Sequence, residues 1–168
     1  MHPGNGVEPA DDGRGESPTQ RADRNFAELL QELRVAQTGT QILFAFLLAT
    51  AFTQLLQDSD AFTQRLLALD LVLAAVATAT LIAPVALHRA LFRRRMKAQL
   101  VQTASRLARV GLGLLMAAVT GSCLLALDAV LPRAVAAGVS AAVLAVFLAL
   151  WVVLPVVVAR SHRRRSGL

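Results

Sequence analysis

The sequence predicts an all-α membrane protein, a four-transmembrane-helix bundle with an N-terminal amphipathic interfacial helix. Of its 168 residues, 55% are hydrophobic and 17% are charged, whereas a soluble domain is about 45–50% apolar and about 25% charged. The apolar residues are also concentrated in four blocks separated by short polar segments, at 38–56, 66–87, 110–131 and 134–159. Each block is close to the roughly 20 residues that a helix needs to cross a bilayer.

Two polar segments precede the first span. Residues 1–23 are rich in Gly, Pro, Asp, Glu and Ser, a composition that predicts a disordered cytoplasmic tail and does not match a signal peptide. In residues 24–37 the apolar side chains recur at helical spacing opposite Glu, Gln and Arg, which predicts a helix lying at the membrane surface. The apolar positions are Phe26, Leu29, Leu30 and Leu33.

The spans differ in their internal residues. The first is free of charge, the second contains Asp70 in its first turns and Pro84 in its last, and the fourth contains Pro155. Each proline removes a backbone donor and can kink its helix. The third span has Gly113, Ala117 and Gly121 at a spacing that favours close helix contact. This contact is expected within the bundle or with a second copy of the chain.

The cations predict the orientation. Fifteen of the seventeen Lys and Arg residues lie before span one, between spans two and three, or after span four, at Arg160 and in the basic tail 161–168, whereas the other connections contain only Arg65 and Arg133. Because Lys and Arg accumulate on the cytoplasmic side, both termini are predicted to be cytoplasmic in a cell membrane. The basic connection is expected to contact anionic headgroups rather than nucleic acid, through Arg89, Arg93, Arg94, Arg95, Lys97, Arg106 and Arg109.

Three stretches, Glu28–Leu48, Ile82–Arg94 and Thr103–Asp128, resemble a family of small four-span membrane proteins of unknown function. Some proteins of this kind are automatically labelled as sodium:proton antiporters. The resemblance covers nearly everything after the N-terminal tail and implies the fold. It brings no catalytic or binding residues that can be transferred to this sequence.

Two carboxylates, Asp70 and Asp128, fall inside predicted spans, and ionisable residues within a membrane indicate function by default. In one interpretation they meet in the same leaflet and form a sodium or proton site, with Thr53, Gln54 or Ser122 as additional oxygen ligands. In the other, which is more common for residues near a boundary, both are interfacial: Asp70 pairs with Arg65, and Asp128 pairs with Arg133 or stabilises a helix end.

The sequence contains no catalytic motif, and its single cysteine, Cys123, excludes an intramolecular disulfide. We therefore expect no enzyme activity, no cofactor and no metal site. The leading hypothesis is a structural or lateral-interaction role in the membrane, with a basic cytoplasmic face that contacts lipid. The alternatives are a small cation/proton transporter or channel component that uses Asp70 and Asp128, and an accessory subunit whose segment 26–37 recruits a cytoplasmic partner.

Overall fold

A computed structural model describes residues 18–91 and 97–165; residues 1–17, 92–96 and 166–168 lie outside the described ranges. Within these ranges every regular element is helical. The elements, in chain order, are α1 (Pro18–Ala51), α2 (Gln54–Gln57), α3 (Ala61–Leu91), α4 (Lys97–Asp128), α5 (Arg133–Leu148), a π-helical turn (Ala149–Val153) and α6 (Leu154–Arg165). The predicted all-α class is therefore confirmed.

Three described helices are long and apolar enough to cross a membrane: Ala61–Leu87, Val101–Asp128 and Arg133–Ser161, the last of which includes α5, the π-helical turn and the start of α6. The full helix α4 has 32 residues, or about 48 Å at 1.5 Å per residue, which exceeds the roughly 30 Å of bilayer hydrocarbon. These lengths indicate a helical membrane protein whose helices continue beyond the hydrocarbon.

The segment predicted as span one is not a single helix. Helix α1 ends at Ala51, and Thr53 adopts an extended conformation (φ −82°, ψ 147°) before the short helix α2. The Thr50 carbonyl accepts from both the hydroxyl of Thr53 at 2.8 Å and its backbone N–H at 3.1 Å, so Thr53 closes the last turn of the helix. Within the predicted span 38–56 the helix α1 therefore ends at Ala51, and α1 is not among the three helices above.

The N-terminal half of α1, which was predicted to lie at the membrane surface, packs against α3 and α4. Phe26 is 6% exposed and packs with Ala104 of α4, and Leu33 is 2% exposed and packs with Leu81 of α3. The apolar stripe therefore faces protein. The helix also begins at Pro18 rather than at residue 24, since a proline in the first turn requires no hydrogen-bonded N–H.

A three-helix core of α1, α3 and α4 forms the centre of the molecule, and among the described helices α5 packs on α4 alone. At the end near the short connections, the buried residues are Leu47, Leu67, Ala74, Ala118 and Leu125. Farther along the same three helices, the Gln37 amide donates to the Leu81 carbonyl at 2.7 Å. The buried contacts therefore run along nearly the whole length of α1.

Helix α5, the π-helical turn and α6 follow one another without a break, and we call them together the fourth rod. Its second half, from the π-helical turn through α6, leaves the bundle. Among the described residues, the π-helical turn contacts only α5 and α6, and no residue from 141 to 161 is buried. Pro155 lies two residues after the end of the turn. A π-helical turn at this position is expected because proline cannot donate the usual backbone hydrogen bond.

Candidate functional site

Asp70 is the most deeply buried charged side chain that the structure describes, at 1% exposure. It lies nine residues after the start of α3 at Ala61, about 14 Å along the helix. The Ser122 hydroxyl of α4 donates to its Oδ2 at 2.5 Å. Its other oxygen, Oδ1, has no hydrogen-bond partner among the described residues.

Gly121 makes room for this carboxylate. A Cβ added to Gly121 would lie 2.7 Å from Asp70 Oδ1, which is closer than a carbon and an oxygen approach without a bond. The absence of a side chain thus lets the α4 backbone approach the carboxyl group. Asp70, Gly121 and Ser122 together form what we call the buried carboxylate site.

The environment of Asp70 differs from the interfacial interpretation. Its hydrogen-bond partner is Ser122 rather than Arg65, and its side chain is buried against α4. Asp128 is the last residue of α4, so it lies about 9 Å along that helix from Ser122. The structure therefore does not join the two carboxylates in one site.

Asp128 instead belongs to an ion-pair cluster at the bundle end that carries the short connections. Arg133 donates to Asp128 through Nε and Nη2, both at 3.0 Å, and Nη2 also donates to Asp60 at 2.8 Å. The Thr63 hydroxyl bridges the two carboxylates, at 2.8 Å from Asp60 and 3.2 Å from Asp128. The Arg133 guanidinium also lies 4.2 Å from the centre of the Phe62 ring, a cation–π distance.

Asp60 and Thr63 are the functional candidates that the sequence analysis missed. The Asp60 carboxylate accepts from the Thr63 backbone N–H at 2.9 Å, which is N-terminal capping of α3. This hydrogen bond, together with those from Arg133 and the Thr63 hydroxyl, lowers the pKa of Asp60 from 3.8 to about 2. Its carboxylate is therefore charged at neutral pH. The sequence signal for this cap is an Asp that stands three residues before a Thr at the start of a helix.

A groove beside this cluster, which we call the outer groove, has a volume of about 470 Å³. Residues of α1, α2 and α4 line it, and we call the part lined by Asp128 and the exposed residues Asp60 and Arg133 its mouth. Ser122 also lines the groove, while its hydroxyl donates a hydrogen bond to Asp70. Most of the remaining lining is apolar, from Leu43, Phe46, Leu47, Leu55, Leu56 and Leu125.

The predicted lipid contacts lie at the opposite end of the bundle. Arg89, near the end of α3, and Arg106 and Arg109, in the first half of α4, are exposed. Lys97 begins α4, but its side chain is outside the description, as are Arg93, Arg94 and Arg95 in full. Within 18–91 and 97–165, no three His, Cys, Asp or Glu side chains come close enough to hold a metal ion.

The comparisons with known proteins give one match. No curated protein and no solved structure is significantly similar to this chain. The model of a family of unknown function, DUF6328, matches residues 15–155, which include α1 to α5, the π-helical turn and the start of α6. Since this match covers most of the sequence, the chain belongs to family DUF6328, as the resemblance to a membrane-protein family of unknown function had indicated.

Proposed function

We propose that this protein crosses the membrane four times, with both termini on the cytoplasmic side, and binds anionic lipid headgroups through the basic end of its bundle. The observation that carries this proposal is the segregation of charge. Among the described arginines, Arg65 and Arg133 lie at the end with the short connections, and all the others lie toward the opposite end. Such an asymmetry favours a cytoplasmic position for the basic end.

The packing of α1 supports a fourth span. Leu47 of α1 is in contact with a cluster from α3 and α4 that includes Leu67 and Leu125, and these residues belong to helices apolar enough to cross the bilayer. The outer half of α1 therefore lies at the same depth as those helices. Residues 35–57 contain no charged side chain, which is compatible with this depth.

Replacing Arg106 and Arg109 with Gln is expected to weaken binding of a fluorescent phosphatidylglycerol in neutral-detergent micelles. Each cation near an anionic surface contributes about 1 kcal/mol, or about fivefold in affinity. Fluorescence anisotropy measures the dissociation constant. The matched control is Arg65→Gln, an exposed arginine at the other end of the bundle. Equal affinities of the two variants would refute lipid binding by the basic end.

A second function, a cation or proton pathway, is favoured by the buried carboxylate site. Asp70 is almost fully buried and has one donor, Ser122, among the described residues, while Oδ1 remains available to a proton or cation. Intramembrane carboxylates of this kind mark ion and proton pathways in many transporters. Because Asp128 is paired with Arg133, the pathway would use Asp70 without it.

Asp70→Asn is expected to abolish proton flux driven by a sodium gradient in proteoliposomes, because an amide cannot exchange a proton at physiological pH. The native protein and Asp58→Asn, an exposed residue outside the site, should both retain the flux. A pH-sensitive dye inside the vesicles reports the rate. An inactive native protein, or an active Asp70→Asn variant, would eliminate this second function and leave the lipid-binding proposal intact.

A further inference from the structure

We propose that the outer groove binds an amphipathic molecule with an ammonium headgroup and an apolar tail. This inference is independent of the lipid contacts at the opposite, basic end. It rests on the shape of the groove, the chemistry of its walls and the charge at its mouth.

The groove has the size and lining of a ligand site. Its volume of about 470 Å³ falls within the roughly 300–1,000 Å³ of small-molecule pockets, which combine apolar walls with a few polar groups at defined positions. Here the charged groups of the lining lie together in the Arg133 ion-pair cluster, and six leucine and phenylalanine side chains line the groove. A ligand with one polar end and one apolar end matches this division.

The groove opens on the side of the bundle. Phe46 is 70% exposed and Leu55 is 73% exposed, although both line the groove. Helix α5 packs on α4, and no contact between α5 and α1 is found among the described residues. The space between α1 and α5 is therefore open, and a tail can enter from the surrounding apolar phase.

The mouth selects a cation. Asp60 and Asp128 contribute two negative charges, and Arg133 contributes one positive charge, so the three groups have a net charge of −1. Asp60 is exposed at the mouth, so a headgroup can reach its carboxylate. An ammonium group complements this net charge, whereas a sulfate or phosphate monoester would be repelled.

The test uses the full-length protein in neutral-detergent micelles, with tritiated dodecyltrimethylammonium as the probe and scintillation proximity as the readout. We expect saturable binding that unlabelled dodecyltrimethylammonium displaces far better than dodecanol, which has the same tail without the charge. Equal displacement by the two competitors would show that an uncharged chain fills the groove, and would overturn the proposal.

Two pairs of variants locate the binding. Asp60→Asn should raise the dissociation constant about three- to fivefold, as expected for one exposed charge pair, whereas Asp58→Asn, an exposed aspartate outside the groove lining, should not change it. Ala126→Phe fills the groove and should abolish binding, whereas Ala75→Phe, on an exposed face of α3, should not. Identical behaviour within either pair would refute this location.

Discussion

Replacing Phe26 with alanine is expected to lower the free energy of unfolding by about 3–5 kcal/mol, the usual effect of removing a buried phenylalanine side chain. Phe26 is 6% exposed and packs with Ala104. Alanine at position 104 cannot move to fill the space that the ring leaves. The expected loss is measured by SDS-induced unfolding in mixed micelles, followed by circular dichroism.

Val35→Ala is the matched control, because Val35 belongs to the same helix and is 77% exposed. We expect this variant to change stability by no more than about 0.5 kcal/mol. Hydrogen exchange of residues 101–108 gives a second readout, since Phe26→Ala should speed exchange in the part of α4 that the ring covers. If the two variants were equally stable, the N-terminal half of α1 would not be packed on α4.

Gly121→Ala is expected to destabilise the bundle by about 1–3 kcal/mol, which is typical of overpacking. The new methyl group would lie 2.7 Å from Asp70 Oδ1, so either the carboxylate or the α4 backbone must move. Moving the carboxylate also stretches its hydrogen bond from Ser122. The change in unfolding free energy is again measured in mixed micelles.

Gly113→Ala, on the same helix, is expected to have the opposite effect on stability, because a Cβ at Gly113 meets no atom within 4 Å. Alanine favours a helix by about 1 kcal/mol over glycine, so this variant should be slightly more stable than the native protein. Combining Gly121→Ala with Asp70→Ala should recover part of the loss, since the clash is then removed. A purely additive double variant would contradict the proposed contact.

The sequence predicted the features that depend on runs of apolar residues and on residues close together in the chain. The two helices that contain Asp70 and Ser122 overlap the predicted spans 66–87 and 110–131; both begin earlier, and the second ends three residues sooner, at Asp128. Long apolar runs have few alternatives in a membrane. The pairing of Asp128 with Arg133, one of the two interpretations, is present because the residues are separated only by a short connection.

Features that depend on contacts between distant residues were not predictable in this way. The spacing of Phe26 and Leu33 shows that one face of α1 is apolar, but the same pattern fits a lipid interface or another helix. The partner of Asp70 lies 52 residues away, so identifying it requires the relative rotation of α3 and α4. The sequence around Asp60 indicates at most a helix cap, whereas its pairing with Arg133, 73 residues away, depends on the fold.

The fourth rod has a mechanical consequence. Only its first half, α5, packs on another helix that the structure describes, while the π-helical turn and α6 contact nothing but their own neighbours along the chain. Changing the tilt of this second half therefore breaks no described interhelical contact. A helix that is too long for the surrounding hydrocarbon can adapt by tilting, and here the tilt of the second half is separated from the core. Bilayer thickness is thus expected to change the angle of α6 before it disturbs the three packed helices.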